Sequence, residues 1–165
     1  GDPAIRSAIG AQAIKEGSID GFWANAMRAE MAVREDVGTV LLDVRRGDGP
    51  PGAWHYTFPA LFTTDKLVEE KPEVAAGAVR AVVKAQKALK ADPSLATPIG
   101  RRLFPPVEAE TIAELIKRDS PFYEATISEE AVVCLNQFVR SVGLNSGSIP
   151  YERLVATQFA HLWSE

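Results

Sequence analysis

The chain has 165 residues, and 46% of them are hydrophobic, which is enough to bury a substantial core. Its 18 basic and 22 acidic residues give a net charge of -4, which argues against a general attraction to nucleic acid or anionic lipid. No apolar run approaches the roughly 20 residues of a membrane-spanning helix, so the chain as given is expected to be soluble. The sequence shows no signal-peptide pattern, but the absence of this pattern does not exclude export from the cell. The single cysteine, Cys134, excludes an internal disulfide and a cysteine-based metal centre.

The first third of the sequence predicts helix, strand, helix and strand in turn. A helix that begins at Asp2-Pro3 is expected to stop at Gly17. Residues 19–23 are short and largely apolar, as in a central strand, and Asn25 can cap a second helix. Residues 39–44 are almost continuously hydrophobic, which favours another buried strand. This order predicts a parallel pair of strands joined by a right-handed crossover.

The segment that follows indicates a boundary between two parts of the chain. Residues 45–52 contain three glycines and two prolines, which break regular structure. Residues 56–63 alternate well enough for one further strand, with Pro59 indicating an edge or a bulge. We therefore divide the chain into residues 1–52 and residues 53–165.

The remainder of the chain predicts helices, beginning with a short helix that Thr64-Asp65 can cap. The clearest spans about Pro72 to Ala91, with Lys84 among the charged residues of its outer face. Pro98 is expected to shorten or kink the next helix, and Thr126 with Glu129 is spaced as a capping box. A last amphipathic helix is expected over residues 151–163. The inner stripe of the clearest helix is predicted to contain Ala75, Ala78, Val79, Val82, Ala85 and Leu89, and that of the helix after the capping box Ala131, Leu135, Phe138, Val139 and Val142.

Trp23, Ala24 and Asn25 are the leading candidates for a binding site. They lie where a predicted strand ends and a helix begins, a position at which open α/β folds bind ligands. Trp23 could form one flat wall of a cleft or pack in the core. Asn25 could bind a ligand or cap its own helix.

Other chemically capable residues are interpreted as structural. His55 and Tyr56 are second-rank cleft candidates, and His161 with Glu165 has a spacing that could suit a metal only at a fraying chain end. Cys134 is expected to be a buried, inert thiol. The sequence contains no motif that pairs a nucleophile with a base, and it contains no metal-binding cluster or phosphate-binding motif. We therefore expect no enzyme activity, no metal and no cofactor.

Five segments, read in order, resemble the C-terminal half of ABC-transporter solute-binding proteins of the nitrate, sulfonate, taurine and thiamine-precursor group. They include Gly17 followed by Ile19-Asp20, the Pro72-Glu73 pair before the long helix, and Ile149-Pro150-Tyr151 near the end. The resemblance depends on the order and spacing of the five segments, because each segment alone is too common a pattern to identify a family. The segments are residues 14–23, 38–43, 67–74, 91–93 and 149–155.

The resemblance implies a helix-rich α/β chain that forms part of a two-lobed type II periplasmic-binding-protein fold. It further implies that the chain binds a small solute without catalysis, docks on an ABC permease, and works in the periplasm or anchored outside the membrane. Residues 1–52 would end the second lobe, and residues 53–165 would return to the first. Trp23, Ala24 and Asn25 match the segment that faces the cleft. Because members of the family are longer, the chain is expected to expose apolar surface that a missing N-terminal half or a second copy would cover.

Two other functions remain open from the residues alone. One is a small-molecule enzyme that uses the same cleft, which would need a catalytic base. The other is a helical protein-interaction module.

Overall fold

The computed structural model describes residues 10–49 and 60–165, apart from the side chain of Arg45, and the regular secondary structure in these ranges is all helical. Its longest helix, α4, carries the main core, and α5 and α6 pack together beside it. The α-helices are α1 (residues 10–15), α2 (Ala26–Arg34), α3 (Asp65–Glu70), α4 (Pro72–Ala91), α5 (Ala96–Leu103), α6 (Pro106–Asp119), α7 (Glu129–Ser141) and α8 (Tyr151–Leu154). Short 3-10 helices span Val44–Arg46, Pro93–Leu95, Ser120–Phe122 and Thr157–Leu162.

The expected α/β architecture is wrong, because no strand occurs in residues 10–49 or 60–165. Residues 19–23 have no backbone hydrogen bond within the described ranges, and the backbone carbonyls of Asp43 and Val44 accept bonds within the turn at Val44–Arg46 instead of from a neighbouring strand. A strand needs a second strand beside it, and neither segment has one. The two-lobed sheet fold is therefore contradicted in the described part of the chain. Residues 60–63 are irregular as well, and the remainder of that predicted strand, with the boundary near residue 52, lies outside the described ranges.

Local capping signals account for most helix ends. The side chains of Asn25 and Thr64 accept hydrogen bonds from the N–H groups of Arg28 and Leu67, which confirms both as N-caps. Gly17 has a φ of 68°, so its left-handed backbone ends α1 as predicted. The predicted capping box is wrong, since Ser128 caps α7 through the N–H of Ala131 at 3.1 Å. Thr126 instead donates to the Glu124 carboxylate at 2.9 Å.

Helix α4 is confirmed from Pro72 to Ala91, and its predicted inner stripe is confirmed at Ala75 but not at Val82. Val83 is only 3% exposed, whereas the predicted Val82 is 43% exposed. The start of α4 packs against the C-terminal 3-10 helix through Ala75, which contacts Phe159 and Leu162. That 3-10 helix also corrects the expected single helix over residues 151–163, because the chain leaves α8 before it.

Helices α5 and α6 approach closely because small residues face each other. Gly100 lies against Ala109, whose side chain is fully buried. A Cβ added at Gly100 would come 3.0 Å from the Cδ1 atom of Ile112. Pro98 lies in the first turn of α5, where no intrahelical N–H is required, so it does not break the helix.

Helix α7 is tied down by polar contacts more than by apolar ones. Leu135 and Phe138 are 43% and 46% exposed, so its predicted inner stripe is wrong in part. The buried Asn136 bonds both backbone groups of Ile149, donating to its carbonyl at 2.8 Å and accepting from its N–H at 2.9 Å. The Tyr151 hydroxyl donates to the carbonyl of Ile127 at 2.6 Å and fixes α8 to the same region.

Candidate functional site

Trp23, Ala24 and Asn25 form a continuous segment at the start of α2, as the sequence predicted. The side chain of Trp23 is 76% exposed, so it does not pack in the core of the described structure. Ala24 is half-buried and Asn25 is exposed. The preceding Phe22 ring lies so close to α1 that a Cβ added at Gly10 would come 2.9 Å from it. This contact holds the segment before Trp23 against α1.

Asn25 works as the helix cap. Its side-chain Oδ1 accepts from the N–H of Arg28 at 3.1 Å, with extended backbone angles of -73° and 167°. Its amide nitrogen makes no hydrogen bond within the described residues. Asn25 therefore caps α2 through its side-chain oxygen, and its side-chain nitrogen is available to a ligand.

The first turn of α2 can attract an anion. The N–H groups of Ala26 and Met27 have no acceptor in the part of the chain that the structure describes. The turn contains no acidic residue, so no side chain neutralises the positive end of the helix dipole. An indole face and two unpaired amide groups therefore lie next to one another in sequence.

A network of ion pairs joins α2 to α6, and sequence reasoning did not find it. Both oxygens of Glu30 are used: Oε1 accepts from Arg34 at 3.1 Å, and Oε2 accepts from Arg118 at 2.7 Å. Arg34 also pairs with Glu114 of α6. The hydrogen bond to Glu30 raises the pKa of the Arg34 guanidinium, and Glu114 adds to this effect. Glu30 and Arg34 are an i,i+4 pair within α2, but no periodic pattern signals their contacts to α6, which join residues 80 and 88 positions apart.

Two lysines near the end of α4 have a structural use. The ammonium of Lys90 donates to the carbonyl of Tyr123 at 2.8 Å, and that of Lys87 donates to the carbonyl of Ser164, also at 2.8 Å. Both cations therefore hold backbone carbonyls.

The remaining candidates are not brought into a site. His161 is exposed in a 3-10 helix, whose turn of about three residues does not align it with Glu165 as an α-helix would. Cys134 is half-buried. No group of three or more metal-ligating side chains occurs within residues 10–49 and 60–165. His55 and Tyr56 lie outside those ranges.

No helix in the described ranges has the length and apolar character needed to cross a bilayer. Comparison with family models, curated proteins and solved structures finds no match to this chain.

Proposed function

We propose that the chain is the solute-binding component of an ABC importer, and that it binds a small solute without catalysis. The observation that carries the proposal is the exposed indole of Trp23 beside the uncompensated N-terminus of α2. Aromatic faces and free helix N–H groups are common elements of small-ligand sites. The order of the five sequence segments adds the importer context, including a permease partner and a location outside the cytoplasmic membrane.

This role does not depend on the sheet fold that the structure contradicts. Trp23, Ala24 and Asn25 supply one wall of the site from a helical scaffold. A single exposed wall cannot enclose a solute, so the proposal requires an opposite wall from another polypeptide segment or from a second copy. An anionic solute suits the unpaired N–H groups of Ala26 and Met27.

The test is direct binding to a panel of small solutes. Nitrate, taurine and an aminopyrimidine are titrated into the chain while heat and tryptophan emission are recorded. We expect one class to bind and to change the emission. Trp23→Ala should weaken that binding about tenfold or more, since it removes the apolar wall.

Phe62→Ala is the matched control, because Phe62 is an aromatic side chain that is 82% exposed at another position. This variant should bind as the original chain does. The proposal fails if no solute class binds, or if Trp23→Ala and Phe62→Ala have equal effects.

A helical protein-interaction module is the second candidate, and α5 favours it. Leu95, Ile99 and Leu103 recur every four residues, and they are 48%, 55% and 68% exposed. Large apolar side chains along one helix face fit a groove or a helix on another protein. Replacing Ile99 with Ser should abolish capture of a specific partner and leave solute binding unchanged, whereas loss of solute binding would argue against this role.

A further inference from the structure

Helix α2 has little apolar burial to hold it in place. Of its nine residues, all within the described ranges, Ala32 alone is buried, and an alanine side chain removes a single methyl group from water. Met27 and Met31 are half-buried. The core cluster that joins α4 to the C-terminal 3-10 helix is built, within the described ranges, without any residue of α2. Apolar packing therefore fixes α2 less firmly than it fixes α4.

Charged side chains join α2 to α6 in two places. Glu30 of α2 accepts a hydrogen bond from Arg118 of α6 at 2.7 Å, and Arg34 of α2 pairs with Glu114 of α6. Glu30 and Arg34 also pair with each other at 3.1 Å, and Arg118 bonds Asp119 at 2.9 Å. Each arginine therefore lies between two carboxylates. We call the four residues that bridge the helices the ionic clasp, namely Glu30, Arg34, Glu114 and Arg118.

The ionic clasp is open to solvent and therefore sensitive to dissolved ions. The side chains of Arg34 and Arg118 are 39% and 37% exposed. The ion pair of Lys15 with Glu35, which joins α1 to the C-cap of α2 at 3.1 Å, is exposed in the same way. The screening length falls from about 10 Å at 0.1 M ionic strength to about 3 Å at 1 M. Added salt therefore weakens these contacts and leaves the apolar contacts of α4 in place.

A helix as short as α2 does not persist by itself. Isolated helices shorter than about 12–15 residues are marginal in water, because the first turn is costly to form. Once α2 leaves α6, its helical hydrogen bonds should open, together with the cap from Asn25 to the N–H of Arg28. Helix α4 has 20 residues and its own core contacts, so it should stay closed. Loss of the ionic clasp thus opens one helix and not the whole fold.

We propose that the ionic clasp works as a salt-dependent conformational switch. At low ionic strength it holds α2 against α6, and with α2 it holds the segment from Trp23 to Asn25. At high ionic strength α2 detaches and opens, while the core around α4 stays folded. The switch acts whether or not a solute binds, so this inference does not depend on the proposed function.

Amide hydrogen exchange of the whole chain in 0.1 M and 1 M NaCl tests the switch. The exchange rate in α2, divided by that in α4, should rise about threefold or more at the higher salt concentration, because screening opens α2 alone. Taking the ratio corrects for the direct effect of salt on the exchange chemistry. A ratio that is equal at the two salt concentrations would overturn the proposal.

Two glutamates of α6 provide a matched pair of variants. Glu114→Gln removes one carboxylate of the ionic clasp and should speed exchange in α2 about twofold or more at 0.1 M NaCl. Glu110→Gln is the control, because Glu110 is similarly exposed but pairs with Arg101 of α5. This control should leave exchange in α2 unchanged. Equal effects of the two variants would contradict the switch.

A double-mutant cycle separates the pairing from a general effect of charge. Glu30→Gln and Arg118→Gln should each speed exchange in α2. The double variant should speed it by less than the product of the two single effects, because both changes remove the same contact. Circular dichroism and exchange in α4 check that the core stays folded. Single effects that simply multiply in the double variant would argue against the ionic clasp.

Discussion

Asn136 satisfies both backbone groups of Ile149 with one side chain, although it was not distinguished by any sequence pattern. It is 8% exposed and lies on the face of α7 that also buries Ala131 and Val132. In the sequence, the Asn136 amide only interrupts the hydrophobic stripe of its helix. Its actual role depends on a loop 13 residues later, which a helical pattern cannot show.

Asn136→Ala should lower the free energy of unfolding by about 1–3 kcal/mol, because it leaves two partly buried backbone groups without a partner. Urea denaturation measures the change. Asn145→Ala is the matched control, since Asn145 is exposed and bonds only the nearby N–H of Gly147. Equal losses in the two variants would argue against a special role for Asn136.

Glu124 links stability to pH. Hydrogen bonds from the N–H and hydroxyl of Thr126 lower the pKa of Glu124 from its usual 4.5. A carboxyl whose pKa is lower in the folded state contributes stability that is fully present above the unfolded value, and is lost as pH falls through the folded value. The stabilising effect of Glu124 should therefore be complete above pH 4.5 and shrink below it.

Glu124→Gln tests this dependence, because it removes the titrating group and keeps the shape. The difference in unfolding free energy between the original chain and Glu124→Gln should narrow as pH falls below 4.5. Unfolding is followed at several pH values. A difference that stays constant from neutral to acidic pH would contradict the linkage.

Helices were predicted far better than strands, for a physical reason. A helix closes its hydrogen bonds within its own segment, so caps such as Asn25 and Thr64 and the stop at Gly17 could be located from sequence. A strand depends on a partner that sequence alone does not supply. The apolar runs at residues 19–23 and 39–44 satisfied the strand pattern, but neither segment has a neighbouring strand within the described chain.

The sequence also did not predict which residues of each helix are buried. On α4, Ala75 and Val79 of the predicted stripe do pack with Phe159 and Leu162, whereas Val83 is buried in place of the predicted Val82. In the candidate site, the segment from Trp23 to Asn25 and the cap were predictable. The ion pairs of Glu30 with Arg118 and of Arg34 with Glu114 were not, since they depend on how α2 meets α6.

Two helical glycines should respond in different ways to an added methyl group. Gly77 in α4 has open space around the position of a Cβ, so Gly77→Ala should stabilise the chain by about 0.5–1 kcal/mol through helix propensity alone. Gly100→Ala meets Ile112 at 3.0 Å and should gain less or lose stability. Thermal unfolding of the two variants measures both changes in stability. Equal gains in stability would show that α5 and α6 can move apart without a loss of free energy.

At the scale of the whole molecule, large apolar side chains lie on the outside as well as inside. Besides Trp23 and Leu41, they include Phe62 and Leu144, and all four are more than three-quarters exposed. Isolated apolar side chains on a surface are ordinary, but so many on a small chain indicate surfaces that other molecules cover. We expect the chain to bind an apolar fluorescent dye at neutral pH.

Light scattering in parallel identifies the species present. A monomer that binds no dye at any concentration would contradict the expectation.

The contact between Gly10 and Phe22 makes the candidate site sensitive to a position that never meets the solute. A methyl group at residue 10 would push against the Phe22 ring, and the chain continues directly from Phe22 into Trp23. The position of the backbone just before Trp23 is thus partly set by α1. A random-mutagenesis screen for altered solute affinity should recover substitutions at residue 10 together with those at Trp23 and Asn25, although the first would act purely by displacement.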